Sequence, residues 1–279
     1  MITIEPILQH IAPFSVVLTR LAGLFMFSPV LSSAQIPRQV KALLVLGMAL
    51  VVYPTLDPGI FAGVGRLQLL SLAPMLATEL LIGVVVGIIA LTPLWAVQLA
   101  GVLMGQQMGL SLAQVYNPAA DIEGDSIGQV LFLLALAIFL SLGGIEAMFD
   151  SVVHSFAAIP PGGFRPTAGV ASLIATLCDS GLQLAMRVSM PVMAIVMVES
   201  VSVGFVSKSL PSLNIMSFGF PVRILLGISV LVCGLAGVKQ AMNVDIERAC
   251  AAIGDFGATG EVEANTTAAT LEPREVPGG

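Results

Sequence analysis

Asp179, Gln183 and Arg187 stand at i, i+4 and i+8, so on a helix they form one polar stripe. In an apolar chain such a stripe is expected to be buried against protein, with ion pairing across two turns relayed by Gln183 or by a partner. Glu79 and Glu199 also lie within apolar stretches. Ionisable groups in that setting can build an ion or substrate pathway at the membrane midplane. A secondary transporter using Glu79, Asp179, Arg187 and Glu199 is therefore one reading. It requires an inverted repeat, and no convincing repeat is visible. Beside the polar stripe run Met186, Met190, Met193 and Met197, at i, i+4, i+7 and i+11. They either fill a core or offer an adaptable apolar surface to another subunit or a moving substrate.

Chemistry of the enzymatic kind has little to stand on. The sequence holds no HExxH, no GxxxxGK[ST], no GxGxxG between strand and helix, and no GxSxG near other triad members. Its two histidines, His10 and His154, are far apart. Cys178, Cys233 and Cys250 form no CxxC, so neither a disulfide framework nor a thiolate metal site is indicated, and inert buried thiols are expected. The expectation is no catalytic residue, no cofactor and no metal.

Composition then sets the solvent. The chain is 57% apolar and 10% charged, with a mean hydropathy of +0.99. An ordinary soluble chain of this length carries about 70 charged side chains; this one carries 11 Lys and Arg and 17 Asp and Glu. Lipid, other protein or both must cover it. Residues 245–279 hold 2 basic and 7 acidic side chains, against 9 and 10 in residues 1–244. The expected organisation is a hydrophobic domain over 1–244 and an acidic, disordered tail over 245–279. No basic cluster exists to bind nucleic acid or seek anionic lipid. No Lys or Arg precedes Arg20, so the positive region of a cleaved signal peptide is not expected.

The elements that must position these residues are apolar helices. IGQVLFLLALAIFLSLGGI, residues 127–145, is the plainest membrane span. Arg20 sits in the middle of IAPFSVVLTRLAGLFMFSPVL. It costs about 3 kcal/mol on insertion, while the eleven Leu, Ile, Phe and Val around it return about 5. Between 168 and 207 the sum fails, because Asp179, Arg187 and Glu199 together cost on the order of 9 kcal/mol. That segment is not expected to face lipid along its whole length. Pro74, Pro93, Pro118, Pro191, Pro211 and Pro221 are expected to break the helices into hairpins. Gly83 and Gly87 form one GxxxG, and Gly101, Gly105 and Gly109 form two in series, which lets helix backbones approach closely. Residues 145–159 form an amphipathic surface helix, with Glu146, Asp150 and His154 on its polar face. The fold class is all-α: membrane-type hydrophobic helices broken by Pro and Gly into hairpins.

These blocks resemble, in order, the FliR family of flagellar type III export-gate components and their injectisome relatives. The resemblance covers about residues 14–240. It is carried by RLAGLFMFSPVLSSAQIPRQVKALL, by Glu79 with Gly83 and Gly87, by GQQMGLSLAQVYNPAADIEGDSIGQ (105–129), by FLSLGGIEAMFDSVVHSFAAIPPGG and by LNIMSFGFPVRILLG. Val102 departs where many members have an acidic residue, and Ile145 replaces a common His. The resemblance implies one copy joined with several FliP and FliQ subunits in the bacterial inner membrane at the flagellar basal body, with FlhB and FlhA nearby and unfolded proteins as substrates. It also implies a pore-plugging loop over 111–126 that includes Ser111 and Asn117, with Leu112, Val115, Tyr116 and Pro118 as its constriction.

Overall fold

Long apolar runs fold as helices because a helix satisfies every backbone hydrogen bond within its own segment, without water. The computed structural model describes residues 5–33, 36–61, 64, 69–110, 126–163, 168–209 and 215–259, and no strand occurs among them. In order the helices are α1 (Glu5–Phe27), α2 (Arg38–Val52), two short 3-10 turns (Tyr53–Thr55 and Pro58–Phe61), α3 (Leu69–Met108), α4 (Ser126–Ser141), α5 (Gly144–Ala158), α6 (Ala168–Ser209) and α7 (Ile215–Thr259). The all-α expectation is borne out. Five of these helices are long and apolar enough to cross a membrane, and α4 with α5 qualifies as a sixth, bent pair.

Two compact units share these helices. The first comprises residues 1–92, 139–178 and 247–279, the second 93–138 and 179–246. In the first unit α1 packs on α2 and α5 and crosses α3 through glycines. A Cβ on Gly83 would collide with the Arg20 carbonyl, and one on Gly23 with the Leu80 carbonyl. One on Gly87 would come within 2.9 Å of Phe27 Cβ. In the second unit a Cβ on Gly101 would strike Gly128, so α3 and α4 also meet backbone to backbone.

Several expectations need correcting. Of the prolines expected to break helices, Pro74, Pro93, Pro191 and Pro221 lie inside helices that run on through them, while Pro118 and Pro211 lie outside the described residues. Apolar helices tolerate proline because neighbours and local adjustment satisfy the freed carbonyl. The break falls instead at Gly143, whose φ of +73° only glycine adopts readily. There α4 and α5 meet at a 60° bend, so 127–145 is not one straight span. Nor does disorder begin at 245. Helix α7 continues to Thr259, because Ile246, Ala249 and Ile253 recur at i, i+3 and i+7 and are buried. Ser151 Oγ donates to the Ile253 carbonyl at 2.6 Å. Residues 260–279 lie outside the described residues. Finally, Cys178 and Cys233 are exposed, and Cys250 is half-buried.

Candidate functional site

Arg20 and Glu79 are both completely buried in the first unit and form an ion pair, 2.5 Å at closest approach. Helix α1 supplies the guanidinium and α3 the carboxylate, at the crossing the glycines make possible. Arg20 Nε donates to Glu79 Oε2 at 2.7 Å, Nη1 to Ser155 Oγ at 2.9 Å and Nη2 to the Ile159 carbonyl at 3.1 Å. The Phe156 ring lies 3.8 Å beneath the guanidinium carbon. The other carboxylate oxygen, Oε1, accepts from the Gly162 backbone N–H at 3.1 Å. Four segments are thus tied to one ion pair, a fully connected network of the kind that a low-dielectric interior makes costly to break. Neither charge is left to carry an ion, because both oxygens of Glu79 are engaged.

The second unit holds the anchors of the expected loop. Leu110 N donates to the Gly105 carbonyl and Gly109 N to the Gln106 carbonyl, both at 3.0 Å. Together they make a Schellman motif. Gly109 is its left-handed residue, with φ +82°. Gly109 was expected on the packing stripe with Gly101 and Gly105, but it is the stop that ends α3. Its α face is also closed by Phe220, whose ring carbon a Cβ would meet at 2.5 Å. Gly105 is buried and Gly101 lies against Gly128, which fixes the start of α4 beside α3. Ser111, Leu112, Val115, Tyr116, Asn117 and Pro118 lie outside the described residues. Replacing Gly109 with Ala is expected to destabilise the protein by about 1–2 kcal/mol, the cost of a side chain at positive φ. Thermal unfolding in detergent measures it.

Helix α6 carries the remaining charges, also in the second unit. Gln183 Nε2 donates to Asp179 Oδ2 at 2.9 Å, so these two do join. The stripe is not buried within the chain, however: Asp179 and Gln183 are exposed and the Arg187 side chain is 46% exposed. The carboxylate nearest Arg187 is Asp245, 4.0 Å away and past hydrogen-bond range. Met186, Met190 and Met197 are exposed as well, with only Met193 half-buried, which favours the surface reading of the methionines over core filling. Glu199 is 5% exposed and pairs with Arg223 of α7, Nε to Oε2, at 3.0 Å. Arg223 Nη2 also donates to Ser200 Oγ at 2.8 Å, while Glu199 Oε1 has no hydrogen-bond partner among the described residues. Asp179 and Glu199 are twenty residues apart on one helix, about 30 Å. They do not form one cluster with Arg187, and Glu79 is satisfied within the other unit. Within the second unit, Asp179, Arg187 and Glu199 are therefore not gathered into one pathway. Among the described residues no group of three His, Cys, Asp or Glu could hold a metal ion.

Sequence reasoning missed Ser155, Phe156, Gly162 and Arg223. Only Gly162, in the turn-forming PPGG, carried a local signal.

A family model described as bacterial export proteins, family 1, matches residues 11–249. The chain belongs to this family. Among its relatives, the flagellar biosynthetic protein FliR of Escherichia coli (strain K12) is 27% identical over 215 residues, covering 77% of this chain and 80% of the relative. FliR of Bacillus subtilis (strain 168) is 27% identical over 224 residues, covering 79% and 85%. The Yop proteins translocation protein T of Yersinia pestis is 24% identical over 213 residues, covering 75% and 80%. The resemblance to the FliR family is borne out. In this bacterial export protein the matched region contains the Arg20–Glu79 network, both loop anchors and the Glu199–Arg223 pair, and it ends ten residues before α7 does.

Proposed function

We propose that this export protein is a non-enzymatic, pore-forming subunit of the flagellar type III export gate, set in the bacterial inner membrane at the basal body. It assembles with FliP and FliQ, near FlhB and FlhA, and shapes a closed channel for unfolded flagellar proteins. Beside the family match, one observation carries this reading: helices longer than a bilayer. The apolar windows of α6 and α7 run for 33 and 35 residues. That is about 50 Å of helix each, against a hydrocarbon core of about 30 Å. Tilt absorbs only part of such a mismatch. Large side chains stay exposed along both, among them Met190, Met197 and Phe205 on α6 and Leu225, Ile228 and Val232 on α7. Lipid can cover part of that length, and protein must cover the rest.

Chain geometry supports a plug. Gly101 touches Gly128, so α4 meets α3 seven residues before α3 ends at Met108, about 10 Å at the ordinary helical rise. The fifteen residues from 111 to 125 can span up to about 50 Å. The loop therefore has chain to spare for projecting into a passage, with its base pinned by Gly109 and Phe220. Deleting residues 113–124 is expected to leave assembly intact and make cells leak small solutes through the gate. Conductance equal to wild type after deletion, in correctly assembled complexes, contradicts a plug.

A further inference from the structure

We propose that the exposed face of α6 is the docking surface for one transmembrane helix of a neighbouring subunit, and that this helix carries a carboxylate opposite Arg187 and a basic or amide side chain opposite Asp179. The proposal rests on the export-gate reading and adds to it the chemistry of the partner. Asp179, Gln183, Met186, Arg187, Met190 and Met197 all point outward from the chain along that face. A helix long and apolar enough to cross a membrane thus displays, among the described residues, a carboxylate bonded only to a neutral amide at one end of a stripe and a guanidinium 4.0 Å from its nearest carboxylate at the other. Lipid is a poor neighbour for both, since hydrocarbon offers neither hydrogen bonds nor counter-charge.

The polar groups themselves state what is lacking. Arg187 has five N–H donors, and its nearest counter-charge stands 4.0 Å off. Among the described residues Asp179 has only a neutral amide donor, at 2.9 Å. A complementary helix supplies an acceptor at one end and a donor at the other. Because Asp179 and Arg187 are eight residues apart, about 12 Å along the axis, the partner's two groups must be separated by seven or eight residues. Leu182, Met186, Met190, Pro191 and Ala194, together with Gln183 and Arg187 themselves, line an apolar trough that begins between the two charges and runs on past Arg187. Flexible methionines there suit an apolar helix whose shape differs from their own.

The test places a photocrosslinking amino acid at Met190 of the full-length protein in its native membrane and maps the adduct by mass spectrometry. The expected adduct is a helix of another gate subunit, with a carboxylate within one turn of the crosslinked residue and a basic or amide residue seven or eight positions away. Arg187→Glu is expected to lower the yield about tenfold, because like charges then face each other. Changing the partner's carboxylate to Lys is expected to restore it. Adducts to lipid alone, to a second copy of this chain, or to a helix without that carboxylate overturn the inference, as does failure of the charge swap to rescue. Co-purification of the same samples with gate subunits is scored in parallel. Lipid adducts from an assembled gate refute the docking face and leave the function standing, whereas loss of co-purification in the unsubstituted protein refutes the function.

Discussion

Replacing Arg20 with Ala, or Glu79 with Gln, is expected to destabilise the first unit by about 3–5 kcal/mol, the cost of leaving one buried charge without its partner. For a unit of this size that is a fall of roughly 10 °C in Tm. The pair is fully buried, so neither solvent nor salt can screen the loss, and high ionic strength should not reduce the effect. The double variant Arg20→Met, Glu79→Leu removes both charges while keeping most of the volume. It is expected to be less damaging than either single change, because apolar replacement of a whole buried pair is often tolerated. Ser155 Oγ keeps its bond to the Val152 carbonyl, and Gly162 is exposed, so its freed N–H can reach water. A double-mutant cycle read by thermal unfolding in detergent measures the coupling. Additive single effects would contradict the account of the network.

The second large effect is expected at Gly83. A Cβ there would land on the Arg20 carbonyl oxygen and within 2.7 Å of Leu24 N. Both are backbone atoms that no rotamer change can move, so Gly83→Val must push α1 and α3 apart. Overpacking of this kind costs about 1–3 kcal/mol, occasionally more. Here the upper end is expected, because widening the crossing also draws Arg20 away from Glu79. The control is Gly47→Val on α2, where nothing lies within 4 Å. Its effect should stay within about 0.5 kcal/mol, the range of surface substitutions. Equal Tm shifts for the two variants would contradict a glycine-mediated crossing.

These two sites show how far the sequence could be read. Arg20 is visible as a charge its helix can afford to insert, and Gly83 with Gly87 as a close-packing signal. What neither discloses is the partner. Glu79 lies 59 positions from Arg20, and Ser155 and Ile159 lie 135 and 139 positions away. Pairing at that range is decided by how helices cross, which periodicity does not encode. Gly109 shows a different limit. Its spacing from Gly101 and Gly105 fits a packing stripe, yet its backbone ends the helix, and only φ separates the two roles. Pro191 misleads for a physical reason, since the rule that proline ends helices comes from water, where a broken hydrogen bond has a ready alternative. The stretch after Asn243 misleads by composition: seven acidic side chains mask an Ile/Ala stripe that suffices to extend α7 to Thr259. The polar stripe on α6 was legible in register but not in burial, because its three side chains are exposed within the chain.

If long apolar helices with exposed charges are sheltered by companion subunits around a polypeptide passage, the chain extracted from native membranes in mild detergent should travel in one stable complex with FliP and FliQ, present as a single copy. A stable, well-folded monomer that moves a small solute across liposomes unaided would contradict it.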